Sequence, residues 1–326
     1  MLTILIPTYA NRNFFFARLI NYIINCDFKY DIYIADSSES DSLEANFRLF
    51  EDIAPKLNIK YNIYDKRLDW LEKVSIAIDD IQTPYILINA DDDFITPSGI
   101  ERSLTFLEAN PDYSLASGYS ANFELTYKSN NQGIIKNISC QTSKQLTVEH
   151  RQSYKRLLEH LSAYEPTFYA VHRTKQLRYN FKKYLDSNIK DFRFMELLPS
   201  CMSLIQGKKK IIDCLYLLRQ VDLPKKYYQF NNTPYLMHDW IADPNWSNDY
   251  NIFRLNLAEL LVNYDKMIID DALKIIKIAM WKYMISQNNQ FSYDKRFSLQ
   301  ELAKASSPYY TDFFPVFKTL SNEIMP

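Results

Sequence analysis

The chain has 326 residues, with 38 Lys and Arg against 39 Asp and Glu, and 47% of it is apolar. This describes a globular chain, one large domain with an appendage or two domains, and the near-zero net charge gives no global argument for a nucleic-acid partner, so Lys208-Lys209-Lys210 and Lys225-Lys226 read as solvated faces. The four cysteines, Cys26, Cys140, Cys201 and Cys214, lack CxxC spacing, which argues against a zinc knuckle or disulfide framework and for a reducing, cytoplasmic setting.

The chain opens directly with a strand-like run, Leu2 to Ile6, rather than a basic segment followed by a long apolar one, so no signal peptide is expected. No apolar run reaches the roughly 20 residues that a bilayer requires, and a soluble or peripheral protein is expected. Phe14 to Ile24 then carries apolar residues at helical spacing. Asp31 to Ala35 predicts a second strand, ending at Asp36-Ser37-Ser38, and Ser42 to Ile53 a helix. Ile59 to Tyr64 is a third strand. Leu71, Val74, Ile78 and Ile81 share one face of a helix over Trp70 to Ile81, and Tyr85 to Ile88 is a fourth strand. This alternation predicts a mostly parallel, Rossmann-like α/β sheet flanked by helices.

Thr96-Pro97-Ser98 reads as a helix start, with a stop at Asn110-Pro111, and Tyr113 to Gly118 as a strand. The polar span Asn122 to Lys144 predicts a hairpin or a loop, turning at Asn130-Asn131-Gln132-Gly133. A helix over Val148 to Leu161, a strand over Phe168 to Val171, a helix over Phe192 to Ile205 and a strand over Ile211 to Leu218 follow. Ile252 to Gln287 is strongly helical, and a weaker segment runs from Ser298 to Leu320. The polar stretch Asp243 to Asp249 divides a catalytic unit, 1–245, from a helical C-terminal extension, 250–326. That tail is positioned to buttress the sheet, pair with a second copy or touch a membrane surface, although Glu259, Asp265, Asp270 and Asp271 interrupt the basic face that membrane contact requires.

The most informative stretch follows the fourth strand, where an apolar run ends in Asp91-Asp92-Asp93. Three adjacent carboxylates repel each other and need solvent, basic partners or a cation. In an open α/β sheet, ligands bind outside the carboxyl ends of the strands, where oxygen donors suit a hard divalent ion that also holds phosphate. Taken alone, the triplet also reads as an acidic turn or helix cap. A GxSxG elbow, a Walker loop and a GxGxxG fingerprint are absent.

Leu5-Ile6-Pro7-Thr8-Tyr9-Ala10-Asn11-Arg12, Asp36-Ser37-Ser38, and Thr83-Pro84-Tyr85-Ile86-Leu87 running into Ala90-Asp91-Asp92-Asp93-Phe94-Ile95-Thr96-Pro97 together resemble a family 2 glycosyltransferase of the GT-A fold with its DXD motif. Glu196, Gly207 and Arg219 stand in the order in which that family carries a base, a glycine and an arginine, so the resemblance covers about residues 1 to 220. The base position lacks the customary acidic pair, and no His follows Arg219.

The resemblance implies a divalent metal, Mn or Mg, at Asp93, with Asp91 as a ribose or second metal contact and Asp92 able to substitute for either. It implies a uracil contact at Asp36, which on residues alone is equally a helix cap, nucleotide contacts at Thr8 and Arg12, and a phosphate contact at Lys73. Glu196 is the implied base, with Asp191 as its rival, and His238 is a candidate final metal ligand. Trp240, Trp246 and Glu165 are candidate acceptor contacts. The implied activity is a metal-dependent, inverting glycosyl transfer of hexosyltransferase type. It would run from a nucleotide sugar, a UDP-sugar first, to a glycan or lipid-linked acceptor in bacterial surface polysaccharide synthesis, at the cytoplasmic face of the membrane. A sugar-nucleotidyltransferase would want a Gly-rich loop after the first strand, and Pro7 to Arg12 has no glycine. A degenerate glycan-binding scaffold would bind no nucleotide with metal.

Overall fold

The structure is a computed structural model and describes residues 1–127, 133–139, 145–221, 237–287, 299–302 and 304–321. Its first half alternates as expected: β1 (Leu2–Ala10), α1 (Asn13–Asn25), β2 (Asp31–Ser38), α2 (Ser40–Ile53), β3 (Ile59–Ile63), α3 (Trp70–Asp80) and β4 (Tyr85–Ile88). A two-residue strand β5 (Phe94–Ile95), α4 (Pro97–Ala109), β6 (Tyr113–Tyr127), β7 (Gly133–Ser139), α5 (Ser153–Ser162), β8 (Val171–Arg173), α6 (Thr174–Ser187), α7 (Phe192–Gln206) and β9 (Lys208–Gln220) follow. Helices α8 (Met237–Ala242), α9 (Trp246–Asp265), α10 (Ile269–Ser286), α11 (Leu299–Leu302) and α12 (Tyr310–Ser321) complete the described chain.

The strands form one sheet in the order β3-β2-β1-β4-β8-β6-β9-β5, with β7 paired to β6. β3, β2, β1 and β4 are parallel neighbours, as the alternation predicts, and β8 joins the two halves through antiparallel pairs. Register decides where the site lies. Thr8 sits beside Asp36, and Leu5 beside Ile88, so β1, β2 and β4 end at one edge. Antiparallel pairing of Phe94 with Leu218 then brings Arg219 beside the end of the acid triplet.

Local chemistry explains the helix starts near that edge. Asp69 caps α3 in a reciprocal capping box with Glu72, and the Thr96 hydroxyl accepts from Gly99 N–H ahead of Pro97 at the start of α4. α1, α4 and α12 cover one face of the sheet, and α3, α5, α6, α7, α9 and α10 the other. The second core is continuous from Leu5 and Ile86 to Leu261 and Tyr283, so the helical extension shares the sheet's own apolar interior.

Several elements differ from the sequence reading. α6 was not anticipated, because its inward residues Leu177, Phe181 and Tyr184 are diluted by four Lys and Arg. The strand expected over Phe168 to Val171 begins only at Val171, since Phe168 packs instead against Trp70 (5.4 Å between ring centres) and Phe181. The single helical run expected over Ile252 to Gln287 is two helices, broken at Lys266, whose φ of 56° is left-handed without a glycine to announce it. Within the polar span Asn122 to Lys144, residues 122–127 and 133–139 pair as antiparallel β6 and β7, while residues 130–132 of the expected turn lie outside the described residues.

Candidate active site

The acid triplet divides into three environments. Asp91 is 2% exposed and accepts from Thr8 Oγ1 at 2.7 Å, from Arg12 Nε at 2.8 Å and from an Arg12 terminal nitrogen at 2.5 Å. That same nitrogen lies 3.0 Å from an Asp92 carboxylate oxygen. Burial opposes the Arg12 charge, but Asp91 and Asp92 overcome it and hold the guanidinium pKa well above its ordinary value. Asp93, also buried, accepts from Tyr169 Oη at 2.6 Å and from the Gln220 N–H at 2.8 Å, with Arg219 Nε at 3.5 Å. Burial and the neighbouring Asp92 push its carboxyl up to about 7, against the pull of Arg219. Asp92 accepts from Arg18 with its backbone carbonyl at 2.7 Å, and its carboxylate, beside Arg12, lines a cavity.

That cavity, of about 310 Å³, opens at the carboxyl ends of β1 and β4. Arg12, Asp91, Asp92, Arg219 and Glu196 line it, and Tyr9, Trp70, Phe168 and Tyr169 supply apolar walls. Glu196, one turn into α7, accepts a 2.7 Å hydrogen bond from Tyr164 Oη. Burial raises the Glu196 pKa, while Tyr164, Arg219 and Arg193 pull the other way. Tyr164 is itself buried and wedged edge-on against Tyr283 of α10 (5.3 Å). Phe194, fully buried among Trp240, Trp246 and Phe253, anchors the start of α7 two residues before Glu196.

The remaining sequence candidates occupy different positions. Asp191 is the N-cap of α7, accepting from Arg193 and Phe194 N–H with one oxygen and from Trp240 Nε1 at 2.6 Å with the other. Asp36 is fully buried and accepts from Ser38 N–H (2.7 Å), Asn46 Nδ2 (2.8 Å) and Tyr61 Oη. Lys73 is 1% exposed, donates to Thr8 O at 2.6 Å and Ser37 Oγ at 2.8 Å, and is lowered by burial to about 8. Asp36 and Lys73 brace the ends of β1 and β2, and Asp191 the start of α7; none of the three lines the cavity. Trp240, a candidate acceptor contact in sequence, is buried in the aromatic cluster, and the His238 side chain lies outside the described residues. Sequence reasoning did not single out Tyr164 or Tyr169, since a tyrosine's hydroxyl partner is set by long-range packing. The only local signal was their place either side of Glu165-Pro166.

Among the described residues no three His, Cys, Asp or Glu side chains converge as a complete metal cluster. The donor chemistry nevertheless fits a hard cation, because magnesium-type ions are commonly held by one or two carboxylates with the rest from phosphate oxygens. Asp92 lines the cavity, and Asp93 next to it has one hydrogen bond on each oxygen, from the Gln220 N–H and from Tyr169 Oη, whereas each Asp91 oxygen accepts two, from Arg12 and Thr8.

No protein-family model matches the chain, and no curated protein matches its sequence. Solved structures do. Residues 1–349 of TarS from S. aureus, in complex with UDP-GlcNAc, share 15% identity over 87% of this chain and 72% of that one, with a TM-score of 0.55. The mannosyltransferase PcManGT from Pyrobaculum calidifontis, in complex with GDP-Man and Mn2+, aligns at 11% identity over 88% of this chain and 72% of its own, with a TM-score of 0.46. At such identities the TarS likeness establishes the fold, which is of GT-A type.

Proposed function

We propose that this chain is a glycosyltransferase that moves a sugar from a nucleotide sugar, a UDP-sugar first, to a hydroxyl of a glycan or glycolipid acceptor, with inversion. The observation that carries the proposal is one cavity that receives both a cationic, carboxylate-flanked end and a carboxylate of raised pKa. Arg12, Asp92 and Arg219 line it together with Glu196. Its volume of about 310 Å³ lies in the range of small-molecule sites. The UDP-GlcNAc held by TarS, on the same fold, supports a uridine donor.

Departure of a nucleoside diphosphate builds negative charge on its phosphates, and Arg219 and Arg12 are preorganised cations at that end. Glu196 takes the proton of the acceptor hydroxyl as its oxygen attacks the anomeric carbon from the side opposite the leaving group. Its raised pKa, nearer neutrality than that of an ordinary glutamate, strengthens it as a base. Tyr164 fixes the carboxylate's orientation, and the aromatic walls exclude water that would otherwise hydrolyse the donor. Asp92 and Asp93 would hold a divalent Mn or Mg, which when bound adds Lewis-acid stabilisation of the diphosphate. Synthesis of a bacterial surface polysaccharide is the setting we assign to this reaction, by analogy of fold.

The test is thermal-shift and calorimetric titration with UDP, GDP, CMP and TDP, each with Mn, Mg or EDTA, on the wild type and on Asp93→Ala. A nucleotide at about 100 times its Kd adds about 2.7 kcal/mol of stability. Metal-dependent UDP binding that Asp93→Ala abolishes is the expected result, followed by turnover of a UDP-sugar that Glu196→Gln abolishes without loss of UDP binding. Failure of every nucleotide to bind under every metal condition overturns the proposal.

A further inference from the structure

The exposed side of α10 has a pattern that neither the fold nor the cavity explains. Trp281 is 64% exposed, Ile278 52% and Ile285 49%, although an indole of this size is rarely left in water on a helix. At about 100° per residue, these three side chains fall within an arc of about 60°. Lys277 flanks that arc on one side and Lys282 on the other, both exposed, and Lys274 lies along its centre one turn earlier. From Ala272 to Ser286 the helix carries no acidic residue.

Of the acids that interrupt a basic face in sequence, two point away from this one and two sit only at its N-terminal end. Asp265 turns inward, accepting from Ser153 and Tyr154 N–H at 2.9 and 2.8 Å to cap α5. Glu259 pairs with Lys183, 3.3 Å away, on the neighbouring α9–α6 surface. Asp270 and Asp271 are confined to the first turn of α10, where Asp271 holds Lys274 at 3.1 Å. What remains over the last three turns is an apolar ridge with a tryptophan at its centre, edged by cations.

We infer that this face of α10 docks on the headgroup region of an anionic lipid bilayer, the helix lying in the interface with Trp281 inserted and the lysines on lipid phosphates. A tryptophan prefers the membrane–water boundary, and lysine stems reach outward to headgroups from an apolar ridge. The charge pattern selects against a second copy of the chain as the occupant. A two-fold self-contact through this ridge would gather Lys274, Lys277 and Lys282 of both copies in one seam, where α10 offers only its first-turn Asp270 and Asp271 as counter-charges, and Asp271 is already paired with Lys274. No helix of the described residues is long and apolar enough to cross a membrane, so the contact is peripheral. The inference does not depend on the activity proposed above.

The experiment is cosedimentation of the full chain with vesicles of phosphatidylcholine alone and of phosphatidylcholine with about one third phosphatidylglycerol, at low and high salt. Binding is expected only to the anionic vesicles, weakening with salt. Lys277→Gln with Lys282→Gln should weaken it about 25-fold, taking about fivefold for each lysine at the surface. Trp281→Ser should weaken it by at least about tenfold, with circular dichroism and thermal midpoint unchanged because all three positions are exposed. Equal binding to neutral vesicles, no binding at all, or binding that the variants leave intact overturns the inference. So does a concentration-dependent dimer in sedimentation velocity that Trp281→Ser dissolves, since the face would then serve self-association.

Discussion

Removing the Asp91 carboxylate should destabilise the whole chain far more than removing that of Asp92, its neighbour in the same motif. Asp91 and Arg12 are 2% and 4% exposed, and the guanidinium grips both carboxylate oxygens at 2.5 to 3.1 Å. Asp91→Ala strips that buried cation of its bidentate partner, a change that costs about 3–5 kcal/mol when no other anion is near. The Asp92 carboxylate, 3.0 Å from the same nitrogen, remains as a partial partner and moves the expectation to the lower end, about 3 kcal/mol. Asp92→Ala leaves the Asp91 pair whole and should cost at most about 1 kcal/mol. Urea denaturation and calorimetry, without nucleotide or divalent metal, measure both. The charge argument also requires that Arg12→Met combined with Asp91→Leu recover most of the loss, because it removes the orphan together with its partner. Asp91→Ala within about 1 kcal/mol of the wild type, or Asp92→Ala costing the more of the two, refutes the reasoning.

The Glu196 carboxyl titrates above the ordinary 4.5, and a base must be ionised to act, so kcat/KM should fall as pH drops through that raised value. Tyr164→Phe deletes a donor that favours the charged form, which should move this acid limb to still higher pH; a limb that stays put or moves down contradicts the role given to Tyr164. Phe194→Ala should cost about 3–5 kcal/mol by denaturant titration, as a fully buried ring between Trp240 and Phe253 is lost, and a cost below about 1 kcal/mol would mean that the cluster collapses freely. Gly118→Ala should destabilise by about 1–3 kcal/mol or more, since its methyl would sit 2.6 Å from the Cys214 carbonyl and sulfur where the parallel β6–β9 register shifts; an unchanged midpoint would show that the strands separate at little cost.

The parallel half of the sheet was legible because β1, β2 and β4 are buried on both faces and read as unbroken apolar runs closed by polar residues. The acid triplet was legible for the same reason, as charge at the end of such a run. The division of labour inside it was not. Whether Asp91, Asp92 or Asp93 faces the cavity depends on Arg12, 79 residues away, and on Tyr169, 76 away, and neither pairing leaves a local trace. Lys73, expected to contact phosphate, is instead buried beneath Thr8, and nothing in its helix signals that burial. Asp191 and Glu196, five residues apart, were both candidate bases, and only the capping geometry of α7 separates them.

Both faces of the sheet are closed by helices near the end of the described chain. Tyr283 of α10 belongs to the same core as Leu5, and Val316 and Leu320 of α12 to the same core as Leu2. At about 5–20 residues per second, a ribosome needs on the order of 15 to 60 seconds to pass from β1 to α10. Throughout that interval the nascent sheet has strands but lacks part of its apolar cover. Exposed apolar surface of this kind is what makes a nascent chain prone to aggregation. A stop codon or ribosome stall before α9 would leave an aggregation-prone fragment rather than a smaller folded domain, even though every cavity-lining residue would already have been made.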